Sequence, residues 1–305
     1  MSDGGKMRDL LIIGSGPAGM SASVYAKRAN LDVLVAEKEY LGTGQIAEST
    51  QIDNYIGLVG KSGYELGEIF RQDAEGLGVE FYEGTAIKIE RGDGYWITRF
   101  DNGEAVESKT IVYAAGAAHR KLGVPGEENF IGNGVSFCAY CDGSLYQDKT
   151  VAVVGGGDTA LDDALYLSDI AKKVYLIHRR DEFRASENRV LKVKAKANID
   201  LILSATVSEI IGNDRVTAVL LGNGNRLAVD GVFVAVGMVP ESHLLKDIAR
   251  IDENGYVVSD ETGETTAPSL FVAGDVRTKK LRQVVTAVSD GANAAISAVE
   301  YLKSK

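Results

Sequence analysis

The sequence predicts an α/β protein made of two three-layer modules, each a parallel sheet with helices plus a small antiparallel β-meander, the second inserted into the first. Three observations carry this reading. Two glycine-rich turns each follow a short apolar strand and precede a helical stretch. The two units share one geometry, with 23 positions from Gly14 to Glu37 and 23 from Gly155 to His178. Each is followed by an Asn-Gly pair and an apolar strand ending in glycine, with 13 positions from Gly103 to Gly116 and 13 from Gly224 to Gly237. Matched spacing on this scale points to a duplicated module.

In chain order, Leu10 to Ile13 supplies the first strand, Gly14-Ser15-Gly16-Pro17-Ala18-Gly19 the turn, and an Ala-rich stretch the helix. Val33 to Ala36, ending at Glu37, is the second strand. Asn102-Gly103 reads as a hairpin turn, because Asn-Gly tolerates the positive φ such turns need. The second module opens with the strand Val151 to Val154 and the turn Gly155-Gly156-Gly157-Asp158-Thr159-Ala160. A helix from Leu161 to Ala171, a strand from Val174 to Ile177 and a hairpin at Asn223-Gly224 complete it. Val239-Pro240 reads as the crossing back, after which Leu270 to Asp275 adds a strand to the first module and 283–302 forms a C-terminal helix. The expected boundaries are 1–117, 118–240 and 241–305.

Composition narrows the function classes. With 305 residues, 45% hydrophobic and 25% charged, the chain suits two globular domains, not a disordered or coiled-coil protein. Its 35 glycines against four prolines imply many turns that approach something closely. A net charge of -10 argues against nucleic acid and does not favour anionic lipid. No apolar run is long enough for a membrane span or a signal-peptide core, so a cytoplasmic location is expected.

A glycine turn between strand and helix lets backbone N–H groups and the helix N-terminus meet a pyrophosphate, the Rossmann-like arrangement. At the first turn Glu37 stands where a carboxylate accepts ribose hydroxyls. At the second, that position is His178, followed by Arg179 and Arg180, with Arg184 a turn further on. An acid there would repel a 2′-phosphate, whereas guanidinium groups hold one through charge-assisted hydrogen bonds. The alternative is a solvated charged loop, which its place at the end of the second strand disfavours. Two such sites suggest FAD in the first module and NADPH in the second, with hydride passing onto a flavin.

Cys138 and Cys141 are the only cysteines. A structural zinc needs four ligands, and His119, His178 and His243 offer no second close pair, so no metal is expected. Inert thiols remain an alternative. The spacing suits a reversible disulfide, since two intervening residues at a helix start let the sulfurs meet and lower a thiol's pKa. A dithiol also fits the electron inventory of a flavin fed by a nicotinamide. Asp142, next to Cys141, is placed to exchange a proton with a leaving thiolate.

Taken together, these residues resemble the low-molecular-weight thioredoxin reductases of the pyridine nucleotide-disulfide oxidoreductase class. The resemblance covers nearly the whole chain and includes Cys138-Ala139-Tyr140-Cys141-Asp142-Gly143, both glycine turns, His178 to Ala185, and Ala273-Gly274-Asp275 with Arg282-Gln283. It implies a flavin site formed by Gly14, Ser15, Gly16, Pro17, Ala18, Glu37, Lys38, Gln45, Thr50, Asn54 and Gly116, closed by Asp275, Arg282, Gln283 and Val284. It implies a nicotinamide site at Gly155, Gly157, Asp158, Thr159, His178, Arg179, Arg180 and Arg184. It further implies that Cys141 faces the flavin, Cys138 attacks the disulfide of thioredoxin or a thioredoxin-like protein, and Asp142 is the acid/base. A homodimer and a rotation between modules are implied as well.

Some positions depart from the family pattern: Thr43 before Gly44-Gln45, Ala115 before Gly116, Glu241-Ser242 after Pro240, Asp162-Asp163 for a Glu pair, and Tyr140 between the cysteines. Other readings share part of the evidence. A ferredoxin- or flavin-fed reductase would not need the intact second glycine turn. A ferredoxin–NADP reductase would leave the cysteines idle. A reductase of a dedicated redoxin or peroxidase would use the same machinery, and a flavin-bound redox sensor would not turn over at all.

Overall fold

The computed structural model describes residues 6–39, 44–49 and 51–305. It divides into two compact units, one comprising the chain through Ala47 with Tyr55–Ala118 and Val239–Lys305, the other Glu48–Asn54 with His119–Met238.

The first unit opens with β1 (Arg8–Ile13), α1 (Pro17–Arg28), β2 (Val33–Glu37), α2 (Gly63–Gly76), β3 (Glu80–Glu83), β4 (Ala86–Arg91), β5 (Trp96–Phe100) and β6 (Ala105–Tyr113). β1 and β2 are buried on both faces, as their unbroken apolar runs require of central parallel strands. Ser62 caps α2, accepting from the Glu65 N–H while Glu65 accepts from the Ser62 N–H. Gly103, at φ +86°, closes the hairpin between β5 and β6. After β7 (Ala117–His119) the chain enters the second unit.

The second unit holds β8 (Val135–Ser136), the one-turn helix α3 (Ala139–Asp142), β9 (Thr150–Gly155), α4 (Asp158–Ser168), β10 (Lys173–Ile177), α5 (Glu187–Ala195) and β11 (Ile199–Ile202). β12 (Val207–Gly212), β13 (Val216–Leu221) and β14 (Arg226–Ala228) form an antiparallel meander before β15 (Gly231–Ala235). The chain then passes through β16 (Met238–Pro240) to β17 (Leu270–Val272) and the long α6 (Val284–Lys303) of the first unit.

The two sheets have matching orders. In the first, β3-β2-β1-β6-β17 run parallel, with β4 and β5 extending β6 as the meander. In the second, β11-β10-β9-β15-β8 run parallel, and β12-β13-β14 make a separate meander. The repeat read from glycine spacing is therefore a repeat of topology. One difference is the helix after the second glycine turn, which begins at Asp158, not Leu161, because the turn supplies its own first helical residues.

Small residues bring α1 and α6 together over the first sheet. Ala18, Ala22 and Ala26 of α1 face Ala287, Gly291, Ala294 and Ala298 of α6 in one apolar cluster. A Cβ on Gly291 would lie 2.0 Å from the Ala18 carbonyl oxygen, so the crossing admits no larger residue there. On the sheet's other face Trp96, Phe100 and Tyr113 fill the core, and the Trp96 indole N–H donates to Ser269 Oγ at 2.9 Å.

Candidate functional site

In the first unit β1 ends at Ile13 and the chain turns at Gly14, whose φ is +108°. A Cβ on Gly14 would stand 2.4 Å from the Ala114 carbonyl oxygen. Gly16 is the N-cap of α1, Pro17 its first residue, and no side chain caps the helix or places an acid in its first turn. The N–H groups of this first turn thus have no side-chain cap among the described residues, and the helix dipole favours an anion there. Ser15 and Ala18 are buried beside it, and Lys38 is exposed.

Glu37 ends β2 and is buried. Its Oε1 accepts from Arg71 Nη1 at 2.5 Å, while its Oε2, also buried, has no hydrogen-bond partner among the described residues. Arg71, reaching from α2, lies 3.9 Å over the Phe81 ring and also donates to Glu75 at 2.7 Å. It fixes the carboxylate while leaving one oxygen available. Sequence reasoning missed Arg71, which is 34 positions from Glu37 and carries no local motif.

The second approach to this unit comes after β17. The Gly274 N–H donates to Asp290 Oδ2 at 3.0 Å, and the same carboxylate takes Arg277 at 2.9 and 2.6 Å and Lys279 at 2.8 Å. These cations hold the Asp290 carboxyl below the usual carboxylate range against its burial. Asp275 follows this turn with a buried Oδ1 that has no hydrogen bond among the described residues and lies 3.8 Å from Lys279 Nζ, and burial pushes its carboxyl up. Arg282 has a buried Nε without a hydrogen-bond partner among the described residues and packs 4.1 Å over Tyr256. Gln283 is the N-cap of α6, and Val284 its first residue. Asp290 and Arg277 also escaped the sequence reading, although an acid within the apolar face of α6 was a usable signal.

Of the remaining flavin positions, the Gln45 side chain donates to the Ala117 carbonyl, and the Gly116 carbonyl accepts from the Glu241 N–H at 3.0 Å. Asn54 lies in the segment grouped with the second unit. Thr50 lies outside the described residues, as does the departure at Thr43.

In the second unit Gly157 is the N-cap of α4, again without a side-chain cap, and a Cβ there would meet open space. Asp158 Oδ1 accepts from the Ser186 N–H at 2.9 Å and Thr159 is exposed. The Arg184 N–H donates to the Gly156 carbonyl at 2.8 Å, tying the arginine loop to the glycine turn. Arg179, Arg180 and Arg184 are exposed, and none is within 4 Å of a carboxylate among the described residues. His178 differs from its neighbours. It is buried, stacks on Phe183 at 5.4 Å, and lies so close to the turn that a Cβ on Gly156 would be 2.2 Å from its ring. Burial lowers its imidazole pKa, so the positive charge comes from the three arginines and His178 packs beneath Gly156.

Cys138 and Cys141 form a disulfide across the start of α3. Cys138 is the N-cap, and its sulfur accepts from the Cys141 N–H at 3.1 Å. Asp142, last residue of this turn, has Oδ2 2.6 Å from Ser136 Oγ and a buried Oδ1 without a partner among the described residues. Burial pushes its carboxyl up, against the hydrogen bond from Ser136. Tyr140 is 53% exposed, and its ring is 4.4 Å from that of Tyr166 on α4. Of the acidic pair on α4, Asp162 is paired with Arg189 at 2.7 Å, whereas Asp163 is buried and pushed up to about 7 by burial and by Asp162 beside it.

Among the described residues no cluster of three or more His, Cys, Asp or Glu is placed to hold a metal ion, and no helix is long and apolar enough to cross a membrane.

Residues 8–291 match the family described as pyridine nucleotide-disulphide oxidoreductase. The thioredoxin reductase of Listeria innocua serovar 6a is 40% identical over 304 residues, covering 98% of this chain and 95% of its own. Among solved structures, a thioredoxin reductase from Streptococcus pyogenes MGAS5005 is 42% identical with a TM-score of 0.93, covering 98% of this chain and 99% of that one. Another, from Giardia duodenalis, is 34% identical with a TM-score of 0.90 over 98% and 99%. Paired glycine turns, a Cys-x-x-Cys disulfide and end-to-end similarity converge, and the chain belongs to the pyridine nucleotide-disulphide oxidoreductases, in their low-molecular-weight thioredoxin reductase class.

Proposed function

We propose that this enzyme, a flavoprotein disulfide oxidoreductase, reduces the disulfide of thioredoxin or a thioredoxin-like protein at the expense of NADPH. The observation that carries the reading is the Cys138–Cys141 disulfide with its adjacent half-buried acid, in a unit whose glycine turn is joined to a loop of three exposed arginines with no carboxylate within 4 Å among the described residues.

The residues fit both cofactors of the family. The uncapped start of α1 suits the FAD pyrophosphate, and Glu37 Oε2 and Asp275 Oδ1 are buried acceptors with no hydrogen bond among the described residues, the unmet need that ligand hydroxyls fill, although Lys279 lies 3.8 Å from the second. Gly14, Ser15, Gly16, Pro17, Ala18, Lys38, Gln45, Thr50, Asn54, Gly116, Arg282, Gln283 and Val284 complete that set. At the second turn Gly155, Gly157, Asp158 and Thr159 take the pyrophosphate side, and Arg179, Arg180 and Arg184 the 2′-phosphate of NADPH, over His178. When bound, the two cofactors supply the electron pair that reduces Cys138–Cys141 to a dithiol.

From the dithiol, the chain's own residues do the exchange. The Asp142 carboxylate takes the Cys138 proton, and the thiolate attacks one sulfur of the partner disulfide. A mixed disulfide forms, the partner's S–S bond breaks, and its departing sulfur takes the proton from Asp142. The carboxylate then accepts the Cys141 proton, and Cys141 attacks Cys138. The second partner sulfur leaves with that proton. The partner gains two electrons and two protons, and the enzyme returns to its disulfide.

We place the enzyme in the cytoplasm as a homodimer, in line with the family resemblance, without nucleic-acid or membrane partners, which the net charge of -10 disfavours. Cys138→Ser tests the assignment. It should abolish thioredoxin reduction while NADPH still bleaches the flavin; full turnover in the variant would refute it.

A further inference from the structure

Ser136 has no role in any reading so far, yet it touches both halves of the redox turn. It is buried at the end of β8, where it pairs with Phe233 of β15, so its backbone is set by the parallel sheet. Its hydroxyl has one proton, and the two acceptors within reach are Asp142 Oδ2 at 2.6 Å and the Cys138 carbonyl at 3.4 Å. The shorter and charge-assisted bond takes the proton. The same oxygen accepts from the Cys138 N–H at 3.1 Å. One hydroxyl thus links the backbone of the first cysteine to the carboxylate that follows the second.

We infer that Ser136 is a positioning residue for thiol–disulfide exchange: it holds the Asp142 carboxylate and the Cys138 backbone as one unit on the edge of the sheet, and tunes when Asp142 is ready to take a proton. The inference rests on the reading of Cys138, Cys141 and Asp142 given above. Ser136 supplies the only hydrogen bond to the Asp142 carboxylate among the described residues, since Oδ1 has none and no cation is within ion-pair distance. The titratable groups on the packed elements are few. Tyr146, on the 3-10 turn after α3, feels the charges of Asp142, Arg215 and Asp230. Asp162, Asp163 and Tyr166 of α4 act on Tyr140.

A hydrogen bond to a carboxylate favours its charged form, so removing the donor makes Asp142 harder to ionise. In the FAD-loaded enzyme, Ser136→Ala should move the rising limb of kcat/KM for thioredoxin, measured against pH, upward by about one unit. The rate of flavin reduction by NADPH should not change. Ser136→Thr keeps the hydroxyl and should return the limb to its original place. An unshifted limb in Ser136→Ala, or a uniform loss at all pH that Ser136→Thr does not rescue, would overturn the inference. The two failures are separable: if Ser136→Ala still takes two NADPH per flavin under anaerobic titration but its limb does not move, only the role of Ser136 falls. If the wild type takes one, the redox pair itself has been misread.

Discussion

Replacing Arg179 and Arg180 together with alanine tests the nicotinamide assignment most sharply. Both side chains are exposed and neither has a carboxylate within 4 Å among the described residues, so phosphate binding breaks no existing ion pair. A hydrogen bond to a charged group contributes about 1.5–3 kcal/mol, and exposure puts these at the lower end. Losing two therefore weakens transition-state binding of NADPH by about 3 kcal/mol, or roughly 100-fold in kcat/KM. NADH has no 2′-phosphate and should change by less than about threefold. The assay is steady-state thioredoxin reduction with each nicotinamide at fixed ionic strength, because salt screens such contacts. An NADPH-to-NADH ratio equal to that of the wild type would show that the phosphate is held elsewhere and would refute the reasoning.

Two further perturbations follow from the geometry. Gly14→Ala combines a φ of +108° with a Cβ 2.4 Å from the Ala114 carbonyl oxygen. Backbone strain alone costs about 1–3 kcal/mol. The variant should purify with less than half the flavin per chain and melt several degrees lower; full flavin content at an unchanged Tm would count against the loop's role. Asp163 is buried with its carboxyl pushed up to about 7, so below the ordinary carboxylate range it is protonated in both states and has no effect on stability. As pH rises from about 4 to about 7 the unfolded chain releases this proton first, and stability falls, by roughly 2 kcal/mol between pH 5 and 7.5. Asp163→Asn should flatten that decline in Tm; an identical slope in wild type and variant would contradict it.

What the sequence made legible was whatever is local. The glycine turns, their equal spacing to Glu37 and His178, and the Cys-x-x-Cys with its following acid are all short-range patterns, because a strand–turn–helix unit is a short-range object. The matched sheet orders followed from them. Contacts made by folding were not legible. Arg71 reaches Glu37 from another helix, and Asp290 gathers Gly274, Arg277 and Lys279 across a turn and a helix. Ser136 sits two residues before Cys138 but earns no motif, since its hydroxyl matters only after α3 has coiled back over β8. His178 was read as part of a cationic cluster from its neighbours in sequence, whereas burial beneath Gly156 makes it a neutral packing group. Gln45, Thr50 and Asn54 came from resemblance alone, having no pattern of their own.

The central claim is that one electron circuit joins NADPH, FAD and the Cys138–Cys141 pair. An anaerobic titration of the oxidised holoenzyme with NADPH, following flavin absorbance and with NADH run alongside, tests it most directly. Full reduction should require about two equivalents per flavin, one for the flavin and one for the disulfide, with NADPH outperforming NADH. Completion at about one equivalent, or no reaction with either nicotinamide, would contradict the account.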